Sequence, residues 1–361
     1  MLDVRVAGRR AGSLAALALA LLAAACGGAD SPRRGPPEGE SAAPAPAPVT
    51  VYSGRNESLI GPILERFTEA TGIPVEVRYG ETAELAATLL EEGANTPAEV
   101  FIAQDAAALG ALAAEGLLRS LPSDVVSGVP ARFADPGGRW VGLSGRARVL
   151  VYNTASISPD ELPATLEAVA DPRYRGRFGV APLNGSFQAQ MAVYRALEGA
   201  EALEELLAGL AANRPQRSAN NRAIVDAAIA GEIDFGLVNH YYLWRALQER
   251  PDAPAKNWFQ PGGGASSFIN VAGAGVLAAP ADVDAAEAVE LVRWLLSDEA
   301  QRYFAGETFE YPLVPGVPAA ADLVPLDELA TPDLDFGAVS AVLDETLAAI
   351  DASGLVGPGP G

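Results

Sequence analysis

From residue 49 onward the chain switches repeatedly between two hydrophobic periods. VTVYSG (49–54) alternates apolar and polar positions and stops at a glycine, which predicts a strand. Residues 57–71 set Leu59, Ile63, Leu64 and Phe67 at helical spacing, and Gly72 ends the run. PVEVRY (74–79) returns to alternation, 83–92 is helical up to Gly93, AEVFIA (98–103) reads as a strand, and 106–115 as a helix closed by Gly116. This β-α-β-α-β-α order predicts an α/β fold built on a parallel sheet with helices on its faces. Such sheets bind ligands at the carboxyl ends of their strands. Residues 52–57 and the pair Gln104 and Asp105 stand at two such ends, so they are expected to face one cleft.

A second α/β unit is predicted after SGRAR, opening on VLVY (149–152). It holds a strand at FGVAP (178–182), helices over 187–197, 201–210 and 222–229, and a strand at DFGLV (234–238). Residues 268–279 read as strands returning to the first unit. Residues 285–304 read as one long amphipathic helix, and the tail 323–352 as helical in part. No internal repeat at a fixed period is visible.

The first 48 residues follow neither period. Arg9 and Arg10 precede an apolar run over 14–25, and small residues lead into Cys26. That is the pattern of a secretory signal, and the run is shorter than the roughly 20 residues a membrane-spanning helix needs. LAAAC (22–26) resembles a bacterial lipoprotein signal, with Ala23 where leucine is usual, which makes Cys26 the expected lipidated first residue. The arginine pair lacks the rest of a twin-arginine export motif. GGADSPRRGPPEGESAAPAPAPV (27–49) is dominated by Pro, Ala, Gly and Ser and reads as a tether. The expected product is a soluble body outside the cytoplasm, in the periplasm or at the cell surface, touching the membrane only through its lipid.

Composition narrows the chemistry. The chain has 361 residues, 49% of them apolar, and a formal net charge of −21. Residues 1–25 carry Arg5, Arg9 and Arg10 against Asp3, so their removal makes the body more acidic still. Such a surface repels nucleic acid and anionic lipid and favours cations. One cysteine and one histidine exclude a thiolate cluster, a disulfide framework and a multi-histidine zinc site. A histidine-based triad would have to use His240. No GxSxG elbow, P-loop or HExxH sequence occurs, and no acid/base pair stands out, so an enzyme is not expected.

An export signal, a tether and two α/β units suggest the substrate-binding component of an uptake transporter. VYSGRNE, TGIPVEV, PAEVF, LSGRARVLVYNT, GEIDFGLVNHYYLW and EYPLVPGV, in that order over residues 49–320, resemble the periplasmic ferric-ion-binding protein family. The resemblance implies two lobes joined by a hinge, with a ferric ion clamped between them and delivered to an ABC permease. The first lobe would comprise 49–145 and 269–315, and the second 146–268 and 316–361, in a monomer. The crossovers at 144–147 and 267–271 would act as hinges.

Residue chemistry agrees with that cargo. Ferric ion is small, highly charged and hard, and prefers anionic oxygen to sulfur. A phenolate is such a donor once the metal displaces its proton. Tyr241 and Tyr242 follow DFGLV in what reads as a turn, where both side chains could reach a cleft. Taken alone, adjacent tyrosines are more often one core and one surface aromatic. The resemblance makes them metal ligands.

It also implies an anion, phosphate or carbonate, completing the metal shell. PLNGSF (182–187) falls at the cradle, so Asn184, Gly185 and Ser186 would bind the anion at a helix start, with Asn221 and Asn239 as further contacts. Without the resemblance, Asn184 or Ser186 would be read as a simple helix cap. Some relatives use a third tyrosine in place of this cradle. Asn184 and Gly185 put this chain with the anion users and leave Tyr152 a structural role.

The departures lie on the first lobe. The family's histidine ligand falls at Asn56 and its carboxylate ligand at Gln104, both neutral here. Glu57 is expected to supply the missing carboxylate. Asp105 is expected to cap a helix, and Arg146 and Arg148 to brace the hinge or pair with a cleft carboxylate. An alternative cargo on the same architecture is thiamine, a polyamine or a small organic anion. Trp244 and Trp258 could sandwich the first, and Glu57 and Asp105 could hold the second.

Overall fold

A computed structural model describes residues 46–279, 285–320 and 323–356. The expected signal peptide, Cys26 and nearly all of the expected tether lie outside them. Among the described residues, ten strands run in chain order as β1 (Val49–Ser53), β2 (Val75–Tyr79), β3 (Val100–Ala103), β4 (Trp140–Asn153), β5 (Phe178–Val180), β6 (Gln216–Arg217), β7 (Phe235–Asn239), β8 (Ala255–Trp258), β9 (Ile269–Val276) and β10 (Tyr311–Pro312). The α-helices are α1 (Glu57–Thr71), α2 (Thr82–Glu92), α3 (Ala106–Ala114), α4 (Ser123–Val126), α5 (Gly185–Glu198), α6 (Ala200–Ala212), α7 (Asn221–Ala230), α8 (Tyr241–Glu249), α9 (Ala286–Leu295), α10 (Asp298–Gly306), α11 (Phe336–Ala341) and α12 (Leu343–Ala352).

The expected β-α-β-α-β-α start is present, and β2, β1 and β3 are parallel neighbours. The sheet is not parallel throughout. β9 joins β3 antiparallel, β4 joins β9 antiparallel, and β10 edges β4. A second set has β5 parallel to both β6 and β7, with β7 and β8 antiparallel to β4. The two sets meet in β4, which does not begin a second unit at Val149. It runs unbroken for 14 residues. Residues 140–147 pair with β9, and from Arg148 onward the partner becomes β7. One strand thus carries both sets, and its change of partner falls at the end of the expected hinge 144–147.

Every residue of β4 is buried. Strands covered on both faces read as continuous runs, not as alternation. Ser144, Arg146 and Arg148 nonetheless lie two residues apart, so they share a face. Gly54 closes the turn after β1 where a Cβ would strike the Cα and side chain of Thr82 at the start of α2. Only glycine permits that approach.

The expected long helix 285–304 is two helices. Ser297 accepts from the Ala300 amide (3.3 Å) and starts α10, with Asp298 and Glu299 in its first turn. In the tail, α11 packs against α3 as well as α5, and Phe336 meets Trp140 edge-on at 5.8 Å. Behind β7, Phe178 stacks on Phe235 at 5.5 Å and Tyr174 meets it edge-on. Among the described residues, no helix is long and apolar enough to cross a membrane.

Candidate metal centre

A cleft of about 500 Å³ opens where the strand ends of the two sets converge. One wall comes from the β1–α1 turn (Gly54, Asn56), the start of α2 (Glu81, Thr82) and the β3–α3 junction (Gln104, Asp105). The opposite wall comes from the start of α5 (Asn184, Gly185, Ser186), from Asn239, and from the start of α8 (Tyr241, Tyr242). The strand-end logic of the sequence therefore holds: residues 104 and 105 do meet the β1 turn.

The tyrosines do not lie in a turn. They open α8, directly after β7, and so project from the first turn of a rigid helix. Their rings stack at 4.4 Å with 26° between planes. Tyr241 is buried, and that burial pushes its phenol well above the ordinary value, with Tyr242 adding to the rise and Arg146 opposing it. A cation entering here would meet a desolvated oxygen whose proton it must displace.

His240 is not available as a ligand. It is fully buried, with its ring against Tyr241 (6.0 Å) and Tyr311 (5.0 Å), and burial lowers its imidazole to about 4. Its Nδ1 accepts from the Ala147 amide (3.1 Å), so Nε2 carries the hydrogen and donates to the Phe309 carbonyl (2.8 Å). One ring nitrogen is spent on the expected hinge residue Ala147 and the other on Phe309, just before β10. Tyr152 sits in β4 opposite Phe235 and Lys256, away from the cleft wall.

On the facing wall, Asn56 is exposed. It precedes α1 without making a side-chain cap. Gln104 is fixed by its backbone: its amide donates to Thr82 Oγ1 (3.1 Å) and its carbonyl accepts from Arg146 Nη2. Its side-chain Oε1 is buried with no partner. A buried acceptor left over in a cleft wall suits an incoming donor or cation. Glu57 does not join them. Its Cγ folds back over Gly61 beside the Tyr79 hydroxyl, on the flank of α1, and it is absent from the cleft lining. Besides Asp105, the wall presents the carboxylate of Glu81, just before α2, which no local pattern in the sequence marked. Asp105 accepts from the Ala108 amide (3.2 Å) and caps α3, as expected, while also lining the cleft. Burial raises its carboxyl, against the amide of Ala108 and Arg146.

The expected cradle is more interlocked than its sequence suggested. Asn184 caps α5, accepting from the Ser186 amide (3.1 Å) and the Ser186 hydroxyl (2.6 Å). Asn221 is buried behind the wall; its Nδ2 donates to Asn184 Oδ1 (2.8 Å) and Ser186 Oγ (3.1 Å). Arg148 lies at the centre. Its Nη1 donates to Ser186 Oγ (3.1 Å), Asn221 Oδ1 (3.1 Å) and Asn239 Oδ1 (3.2 Å), and its Nε to Gln190 Oε1 (3.0 Å).

Arg146 and Arg148 differ in their partners, and neither pairs with a carboxylate of the cleft lining. Arg146 lies 3.9 Å from Glu310, whose other oxygen accepts from Arg55 (2.7 Å) and Ser144 (2.9 Å). Burial drives the Glu310 carboxyl up, but Arg55 and Arg146 outweigh it and hold it below its ordinary value. Arg148 meets neutral acceptors only, and burial lowers its guanidinium to about 9, leaving it protonated at neutral pH. Neither Trp244 nor Trp258 reaches the cleft lining, so an aromatic sandwich for an organic cation is not built there.

Residues 95–336 match the family model of bacterial extracellular solute-binding proteins. The chain is 34% identical to the major ferric iron-binding protein of Neisseria meningitidis serogroup A over 83% of its own length and 91% of that protein. It is 32% identical to iron uptake protein A1 of Synechocystis over 75% of this chain and 77% of that one. Among solved structures, iron-bound HitA from Pseudomonas aeruginosa superposes with a TM-score of 0.79 at 32% identity, covering 86% of this chain and all of that one. The Trichodesmium protein in complex with iron and citrate ligands does so with a TM-score of 0.74 at 29% identity, covering 85% and 99%. The chain belongs to the periplasmic ferric-ion-binding proteins, a family of bilobal bacterial extracellular solute-binding proteins.

Proposed function

We propose that the protein captures ferric ion in this cleft, together with an exogenous anion, and delivers it to an ABC permease. The observation that carries the reading is the stacked pair Tyr241 and Tyr242, set on the first turn of α8 and facing the cleft. Two phenolates give a hard trivalent ion two anionic oxygens. Asn56 and Gln104 add neutral oxygen from the facing wall, and Glu81 adds a carboxylate in the role expected of Glu57. Phosphate or carbonate on the first turn of α5, beside Asn184, Gly185, Ser186 and Asn239, supplies the remaining charge. Asn221 supports that anion from behind.

The two strand sets act as lobes that close on the ion by bending in β4 near Arg146 and in β9 near Asn270. Cys26 anchors the chain by its lipid, 26–48 is the leash, and the body works as a monomer outside the cytoplasm. No chemical step is performed on the cargo.

Native mass spectrometry of the apo protein, loaded with ferric ion in the presence of phosphate or carbonate, tests this. The expected result is one iron per chain, with loading raised by the anion. Absence of iron under every anion tried would overturn the reading and leave an organic cargo on the same architecture.

A further inference from the structure

Arg148 is 2% exposed, yet no carboxylate among the described residues pairs with it. Its four hydrogen bonds all go to neutral oxygens, and Nη2 is buried with no partner. The contrast with Arg55, paired with Glu310 at 2.7 Å, is sharp. An unpaired buried charge is strongly unfavourable unless something else balances it. Three of the four acceptors of Arg148, namely Ser186, Asn221 and Asn239, are the cradle residues themselves. Each amide that gives its Oδ1 to the guanidinium turns its nitrogen away from it. Asn239, on the cleft wall, thus points its Nδ2 away from Arg148. Ser186, held by Arg148 and Asn184, keeps α5 aimed with its first-turn amides at the cleft.

We propose that Arg148 is the positioning residue of the anion site: it fixes Ser186 and the outward-turned amide of Asn239 and supplies, from beneath, the positive charge that selects a doubly charged oxyanion. This rests on the reading of the start of α5 as the anion site. The guanidinium lies behind Ser186 and Asn239, so it acts mainly through them and through its field. In a site of low dielectric, one uncompensated positive charge favours a dianion over a monoanion. A cradle of amides alone would discriminate less.

Gln190 offers a clean test. It is buried, touches Arg148 Nε, donates to the Ala265 carbonyl (2.9 Å), and is absent from the cleft lining. Gln190→Glu keeps the size, gives up the donation to Ala265 and hands Arg148 the carboxylate it lacks. Iron loading is followed by native mass spectrometry as inorganic phosphate is titrated, with folding checked by circular dichroism and thermal melting. The phosphate concentration giving half the gain in loading should rise at least ~10-fold in Gln190→Glu, matching a tenfold change in binding constant per charge interaction of modest size. Anion-free loading should not fall. Arg148→Met should lose the phosphate gain as well. In the unaltered protein, sulfate should support loading better than nitrate at equal concentration.

A folded Gln190→Glu protein whose phosphate half-point stays within twofold of the parent overturns the proposal. So does equal support from sulfate and nitrate, which decides the matter even if both variants fail to fold. If the parent itself shows no anion-dependent gain, the reading of the α5 site fails first and the proposal with it.

Discussion

At the scale of single residues, the cleft separates groups that are chemically similar. Glu57 and Glu81 are both exposed carboxylates near helix starts, but only Glu81 lines the cleft. Glu81→Gln should therefore weaken ferric binding about tenfold or more, the scale of losing one charged donor, while Glu57→Gln leaves it within about twofold. Competition against a colorimetric iron chelator measures both. The reverse order would put the carboxylate donor back at Glu57. Tyr241 holds its proton more tightly than an ordinary phenol because it is desolvated. With Tyr241 as the proposed ligand, ferric ion has to displace that proton, so loading should release protons and acidification should return the metal. Proton release recorded with a pH indicator should be smaller in Tyr241→Phe, and iron retention should fall as pH is lowered.

At the scale of elements, the strand ends and helix starts that build the site were legible, and the cross-links between them were not. The periodicities located β1, β2, β3, α1, α2 and α7, because each carries its own apolar pattern and its own stop. The break between α9 and α10 was missed because the apolar stripe continues across Ser297, and only the cap at Ala300 reveals the restart. α8 was missed because its first turn reads as aromatic residues following a strand. Arg148 is expected from sequence to brace the hinge or pair with a cleft carboxylate, and nothing nearby in sequence corrects that. Its partners lie 38, 42, 73 and 91 residues away. Glu310, 255 residues from Arg55, is likewise invisible to local pattern. That pair ties β10 to the β1 turn and predicts a stability effect. Glu310→Gln leaves Arg55 buried and unpaired, at a cost of about 3–5 kcal/mol, readable by denaturant unfolding. The sign with pH follows from the lowered carboxyl. Above its ordinary value of 4.5 the pair contributes fully, and the contribution is lost as pH falls through the folded value. The parent should destabilise on acidification more steeply than Glu310→Gln.

At the scale of the whole molecule, β4 and β9 carry the connection between the two strand sets, and the cleft lies across their junction. Closure on a ligand requires that the closed form bind it better than the open form. Small-angle scattering should show a smaller radius of gyration with ferric ion and phosphate than without, and an unchanged profile at saturation would argue against a clamp. The claim on which the rest depends is that Tyr241 and Tyr242 hold the iron. The most direct measurement is the visible absorption spectrum of the protein titrated with ferric ion in phosphate, compared among the parent, Tyr152→Phe and the double variant Tyr241→Phe with Tyr242→Phe. Phenolate bound to ferric ion gives a charge-transfer band, and no other donor in the cleft does. The account predicts that the band is present and saturable in the parent and in Tyr152→Phe, and absent in the double variant, which retains its fold. An equal band and equal iron content in the double variant would contradict it.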